Sequence, residues 1–118
     1  MLTLPPSIRV LLAPGATDMR KAFDGLAAAA REVLAADPLS GHLFVFCNRR
    51  RDRLKILWWD GTGFWLYAKR LERGTFAWPA RGADAPGPLE LRPEELTMLV
   101  SGIDLRQTAR RRWYSRPA

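Results

Sequence analysis

Cysteine and histidine are almost absent from this 118-residue chain, each occurring once, as Cys47 and His42. A single cysteine excludes an intrachain disulfide and a cysteine-based zinc cluster, and it fits a reducing cytoplasm. Cys47 lies inside a strand-like run without a nearby histidine, the pattern of a buried thiol and not of a nucleophile. A lone His42 at a strand start is expected to serve as a surface or hydrogen-bonding residue, not as a metal ligand. The chain also lacks a Walker loop, a Gly-rich dinucleotide fingerprint and a serine elbow. No window approaches the roughly 18 apolar residues of a membrane span, and the opening MLTLPPSIRV has no charged n-region followed by a long apolar stretch. The expectation is a soluble intracellular protein with no metal, no cofactor and no membrane partner.

What is present is arginine. The formal net charge is +7 and the pI about 10.7, with lysine only at Lys21, Lys55 and Lys69. Such a balance points to an anionic partner, nucleic acid first, and the planar guanidinium matches phosphate and stacks on rings. Coding bias towards Ala, Arg, Gly and Pro is the plain alternative source of the excess. A hydrophobic content of 47% suffices for one core. The expected organisation is a single domain over residues 1–106 and a basic, flexible tail over 107–118.

The most informative stretch is HLFVFCNRRRDRLKILWWDGTGFWLYAKRLERGTFAWP, from His42 to Pro79. Apolar β-prone runs alternate there with short cationic turns, which predicts strands over His42–Cys47, Leu54–Trp59 and Phe64–Arg70 and a weaker one near Phe76–Trp78. Short loops make these neighbours antiparallel, the second loop carrying the Asp60-Gly61 chemistry of tight hairpins. Leu54, Ile56 and Trp58 should face one way and Lys55, Leu57 and Trp59 the other. Both faces are thus partly apolar, so the second must meet a helix, another subunit or a nucleic acid.

Upstream, Ile8 to Ala13 reads as a first strand ended by Pro14-Gly15. Met19, Phe23, Leu26, Ala30, Val33 and Leu34 then recur at helical spacing, predicting a helix over Asp18–Ala36 with Thr17 as N-cap and Asp37-Pro38 as its stop. Downstream, Leu89–Leu91 reads as an edge strand. A second helix follows, with Pro93 in its first turn, Glu94 and Glu95 at its positive end, and Gly102 past its C-terminus. The predicted fold is α+β: a small antiparallel β-meander sheet of about four or five strands, one helix packed on a face and a second, C-terminal helix closing an end.

Candidate binding residues follow from the placement of charge. Arg49, Arg50, Arg51, Arg53 and Lys55 gather at one hairpin end, and Lys69, Arg70 and Arg73 at the neighbouring strand end, a field able to neutralise several phosphates; a solvated turn is the alternative. In the tail, Arg110, Arg111 and Arg112 beside Trp113 combine backbone attraction with base stacking. Trp59, Trp65 and Tyr67 are candidates for a stacking platform or a partner face. No catalytic residue is assigned: Asp18, Asp24, Asp52, Asp60 and Asp104 sit at helix starts and turns, where Asp is structurally favoured, and nothing pairs them for two-metal chemistry.

The segments TDMRKAFDGL, SGHLFVFCNRR and RLKILWWDGTGFWLYAKRLERGTFAWP, with PEEL at Pro93–Leu96 and GIDLR at Gly102–Arg106, closely resemble the Orf2-like accessory protein, also labelled TnpB, of bacterial insertion sequences in the family numbered sixty-six. The resemblance spans about Ile8 to Arg106. It implies a non-catalytic accessory role in transposition, beside a separate transposase of the same element as partner, with DNA as the expected nucleic acid and a cytoplasmic, nucleoid-associated location if DNA is bound. An adaptor that docks on the transposase or self-associates without touching DNA is the rival. Two positions depart from the family pattern: Arg51 where a glycine is usual in the first hairpin loop, and Arg92 where a Thr-like N-cap is common.

Overall fold

The computed structural model describes residues 7–79 and 87–102. The run LFVFC has no polar side for solvent, so it must lie at the centre of a sheet covered on both faces. The element order is β1 (Val10–Ala16), α1 (Phe23–Glu32), β2 (Leu43–Cys47), β3 (Arg53–Trp59), β4 (Phe64–Arg70), β5 (Leu89–Leu91) and α2 (Pro93–Val100). They form one five-stranded sheet in the order β4-β3-β2-β1-β5, with every residue of β2 buried at its centre. The α+β class, the strand number and the two helices are as the sequence predicts.

The sheet is mixed, not a pure meander. β2–β3, β3–β4 and β1–β5 are antiparallel, but β1 and β2 run parallel, Val10 facing Leu43. The cause is the connection: a helix between two neighbouring strands carries the chain back to the end at which the first began. β1 also continues past Pro14 to Ala16, with its register to β2 broken between Leu12 and Ala16. Pro14 is tolerated because β5 pairs only as far as Leu12.

Helix α1 begins at Phe23, five residues later than periodicity predicts. Asp18 explains the delay by accepting the Arg20 N–H at 2.9 Å and its guanidinium at 2.7 Å, a local turn that competes with helix. Lys55 Nζ takes the carbonyls of Met19 and Lys21, both at 2.8 Å, which a helix would have needed. Thr17 does not cap it; its N–H donates to the Cys47 carbonyl. At the far end Ala35 adopts φ +52° and the Ala36 N–H returns to the Ala30 carbonyl.

The sheet divides two apolar clusters. Leu11, Phe44, Phe46 and Leu57 meet Leu26, Ala27 and Ala30 of α1 on one face. Val10, Leu12, Val45, Leu54, Ile56 and Trp58 meet Leu96 and Leu99 of α2 on the other, so α2 covers a face and does not merely close an end. Phe76 and Trp78 join that second cluster. They form no strand: Phe76 is buried and Trp78 Nε1 donates to the Ala13 carbonyl at 2.9 Å, so the segment lies across the sheet. Each large buried side chain, such as Phe44 or Leu57, contributes about 2–3 kcal/mol. Arg92 cannot accept a hydrogen bond, and at the start of α2 its N–H is instead capped by the Glu95 carboxylate at 2.9 Å. No helix among the described residues is long and apolar enough to cross a membrane.

Candidate nucleic-acid interface

No polar or charged residue among those described is fully buried, so the described candidate charges lie at or near the surface, where the turns set their positions. The loop from Asn48 to Asp52 is built by one amide. Asn48 Oδ1 accepts the N–H groups of Asp52 and Arg53, both at 3.1 Å, while its Nδ2 donates to Asp52 Oδ1 at 2.7 Å. The loop is tied to the chain beyond β4 by Leu71 N–H on the Asp52 carbonyl and Phe76 N–H on the Arg51 carbonyl, at 2.8 and 2.6 Å. These bonds bring Arg49, Arg50, Arg53, Arg70 and Arg73 to one end of the sheet.

Within that end, Arg53 of β3 stands directly opposite Arg70 of β4. With Lys55 and Ala68, they line an open groove of about 490 Å³ that Met19 and Glu72 also border. Like charges directly opposite in an antiparallel pair are destabilising, and an anion between them removes that repulsion. Ala68 leaves the space for it. The local carboxylates only partly compensate: Glu72 pairs with Arg70 at 3.0 Å, and Asp52 lies 4.0 Å from the Arg50 guanidinium. Asp52 is held below the usual carboxylate range chiefly by the Asn48 amide, with Arg50 and Arg53 adding. Arg49, Arg53 and Arg73 make no ion pair with any described residue.

Other expected contacts are otherwise engaged. Arg51 is half-buried, donates to the Pro14 carbonyl at 3.2 Å and lies 5.4 Å from the centre of the Trp78 ring. Lys55 anchors the turn before α1, and Lys69 Nζ, on the opposite face from Arg53 and Arg70, donates to the Val100 carbonyl at the end of α2. Burial raises the Cys47 thiol pKa, which suits a packing role. Arg110, Arg111, Arg112 and Trp113 lie outside the described residues.

The aromatic candidates separate. Trp59 packs edge-on against Phe64, centroids 5.0 Å apart, on the α1 face. Trp65 and Tyr67 stack in parallel on the α2 face, 6.2 Å apart and 8° from coplanar, with Trp65 43% exposed. Trp65 Nε1 donates to Asp60 Oδ2 at 2.7 Å. Sequence reasoning missed the organising part of Asn48; the signal available was an Asn directly before an arginine run with Asp four residues on.

No solved structure matches the chain. Two proteins of Sinorhizobium fredii are similar to it: Uncharacterized protein y4hO is 45% identical over 106 residues, covering 90% of each chain. Uncharacterized protein y4jC is 38% identical over 104 residues, covering 88% of this chain and 86% of its own. The family described as IS66 Orf2 like protein matches residues 8–110, all but the two ends of the chain, and the protein therefore belongs to the IS66 Orf2-like family.

Proposed function

We propose that this protein is a non-catalytic accessory factor of transposition that holds DNA by its phosphates at the cationic end of the sheet. Membership associates the chain with insertion-sequence elements, as an accessory protein of IS66 elements and not as one of a known catalytic family. The observation that carries the DNA reading is the groove in which Arg53 and Arg70 face each other across adjacent strands. Arg49, Arg50 and Arg73 extend the same field, and Arg51, Lys55 and Lys69 hold the elements that carry it. Contacts of this kind are indifferent to sequence, so the role is to position or shield element DNA beside the transposase of the same element.

Fluorescence anisotropy with labelled duplex, over a salt series, tests this. Binding at micromolar concentration or tighter, with a log–log salt slope of about −4 or steeper, is expected for several phosphate contacts. Charge reversal of Arg50 and Arg53 together should weaken binding and flatten the slope. Binding that is absent, or unmoved by that double variant, would overturn the assignment. A second reading, an adaptor that docks on protein, draws on the half-exposed Trp65 and Tyr67 pair; co-sedimentation with the transposase in nuclease-treated samples separates it from the first.

A further inference from the structure

β4 is an outer strand of the sheet, seven residues long, with the sequence FWLYAKR. The direction of its backbone groups follows from the ladder. Leu71 N–H donates to the Asp52 carbonyl in the same register that pairs Ile56 with Tyr67, and inward bonding alternates along an antiparallel strand. Trp65, Tyr67 and Lys69 therefore bond to β3. The N–H and C=O groups of Phe64, Leu66, Ala68 and Arg70 point away from the sheet, and no described strand meets them. A long unpaired row of this kind is a template for another strand.

The side chains specify which strand. β4 is aromatic in its first half and cationic in its second, so it is complementary to itself reversed. We propose that β4 pairs with β4 of a second copy, antiparallel about a two-fold axis at Tyr67, joining two five-stranded sheets into one. Tyr67 is the middle of Phe64–Arg70, so this register uses the whole strand. It also satisfies the ladder, since Phe64 then meets Arg70 of the second copy and Leu66 meets its Ala68, all four outward-pointing. Trp65 lies opposite Lys69 of the second copy, whose apolar stem can cover the ring while its ammonium stays on the Val100 carbonyl, and the Arg70 guanidinium is set beside Phe64.

Three alternative arrangements do worse. A parallel pair sets Arg70 against Arg70, an axis at Lys69 sets ammonium against ammonium, and an axis at Leu66 leaves Lys69 and Arg70 opposite Gly63 and Thr62. The receiving ring is already oriented: Asp60 holds the Trp65 indole N–H and Tyr67 stacks on its face, so little side-chain freedom is lost on association. A two-fold pair of this kind is closed and does not propagate into filaments through β4. It requires no nucleic acid and does not depend on the DNA reading.

Sedimentation velocity of the full chain, free of nucleic acid and at concentrations up to about 100 μM, should show a monomer–dimer equilibrium. Ala68→Pro removes an outward N–H that makes no bond to β3, so the fold survives, and the dimer should weaken at least about tenfold. Independently, Tyr67→Cys should form an intermolecular disulfide on mild oxidation, because residues facing each other at a non-hydrogen-bonded position approach closely. Cys47, fully buried, takes no part. A monomeric wild type, a dimer untouched by Ala68→Pro, or cross-linking at Tyr67→Cys no better than at Asp24→Cys on exposed α1 would each overturn the proposal.

Discussion

The two turns at opposite ends of β3 solve the same backbone problem with different chemistry. At one end Asn48 Oδ1 collects the N–H groups of Asp52 and Arg53. At the other Asp60 Oδ1 collects the Thr62 N–H, the Thr62 hydroxyl and the Gly63 N–H, while Oδ2 takes the Trp65 indole. A carboxylate makes the stronger acceptor and is held at a pKa of about 2 by these bonds. A neutral amide gives up that strength but adds no negative charge among Arg49, Arg50 and Arg53. The difference teaches that the cationic end keeps its field at the expense of a firmer turn.

The largest expected effect tests whether the field is local. Arg50→Glu should lower DNA affinity by about tenfold or more at low salt, whereas Arg31→Glu, in the last turn of α1 towards the other end, makes the same change in net charge and should lower it by less than about threefold. Equal losses in anisotropy titrations would mean that net charge alone governs binding. Next in size is the amide itself. Asn48→Ala strands two backbone donors and should cost about 2 kcal/mol in urea unfolding. Asn48→Asp keeps the acceptors but replaces the 2.7 Å bond to Asp52 with carboxylate facing carboxylate; it should be destabilised as well and should weaken DNA binding, which together would establish why the two turns differ.

Much of this architecture was legible from alternation. Lys55 reaching over the α1 side and Ile56 packing on the α2 side follow directly from period two along β3. The parallel pairing of β1 with β2 was not legible, because short-loop logic governs hairpins and the helical connection obeys a different rule. The start of α1 escaped periodicity because Asp18 and Lys55 draw off local hydrogen bonds, and Lys55 is distant in sequence. The clustering of cations at the candidate site was legible, but not which of them are engaged within the fold. Charge density located the hairpin end, yet only tertiary contacts separate Arg53 and Arg70, facing each other in the groove, from Arg51, Lys55 and Lys69, which brace it.

Acid should distinguish the turns more gently. Asp60 has a folded pKa lowered to about 2 against about 3.9 unfolded, so its contribution is present above the unfolded value and is lost as pH falls through the folded one. Asp60→Asn removes the ionisable group. Urea midpoints of the wild type should therefore exceed those of Asp60→Asn by a constant margin above about pH 5, and the margin should close between about pH 4 and pH 2. Asp18, held equally low by Arg20, titrates in both proteins and cancels from the difference. A margin unchanged at pH 2 would mean that the Asp60 carboxylate does not sustain its turn.

The smallest effect concerns Arg51, in the cationic turn. Arg51 adopts φ +61°, a left-handed conformation that glycine takes freely and that costs a branched-free side chain about 1 kcal/mol. Its side chain returns a similar amount through the Pro14 carbonyl and the Trp78 ring, while Nη1 is buried without a partner, which subtracts. Arg51→Gly should therefore shift the unfolding free energy by less than about 1 kcal/mol in either direction. Trp78→Phe removes the indole bond to Ala13 as well as the better ring, and in that background Arg51→Gly should shift towards stabilising, because the ring contact is weakened while only the Pro14 bond still opposes the backbone gain. Failure of the two substitutions to couple in a double-mutant cycle would show that Arg51 is tolerated by the loop and not held by the segment that crosses the sheet behind it.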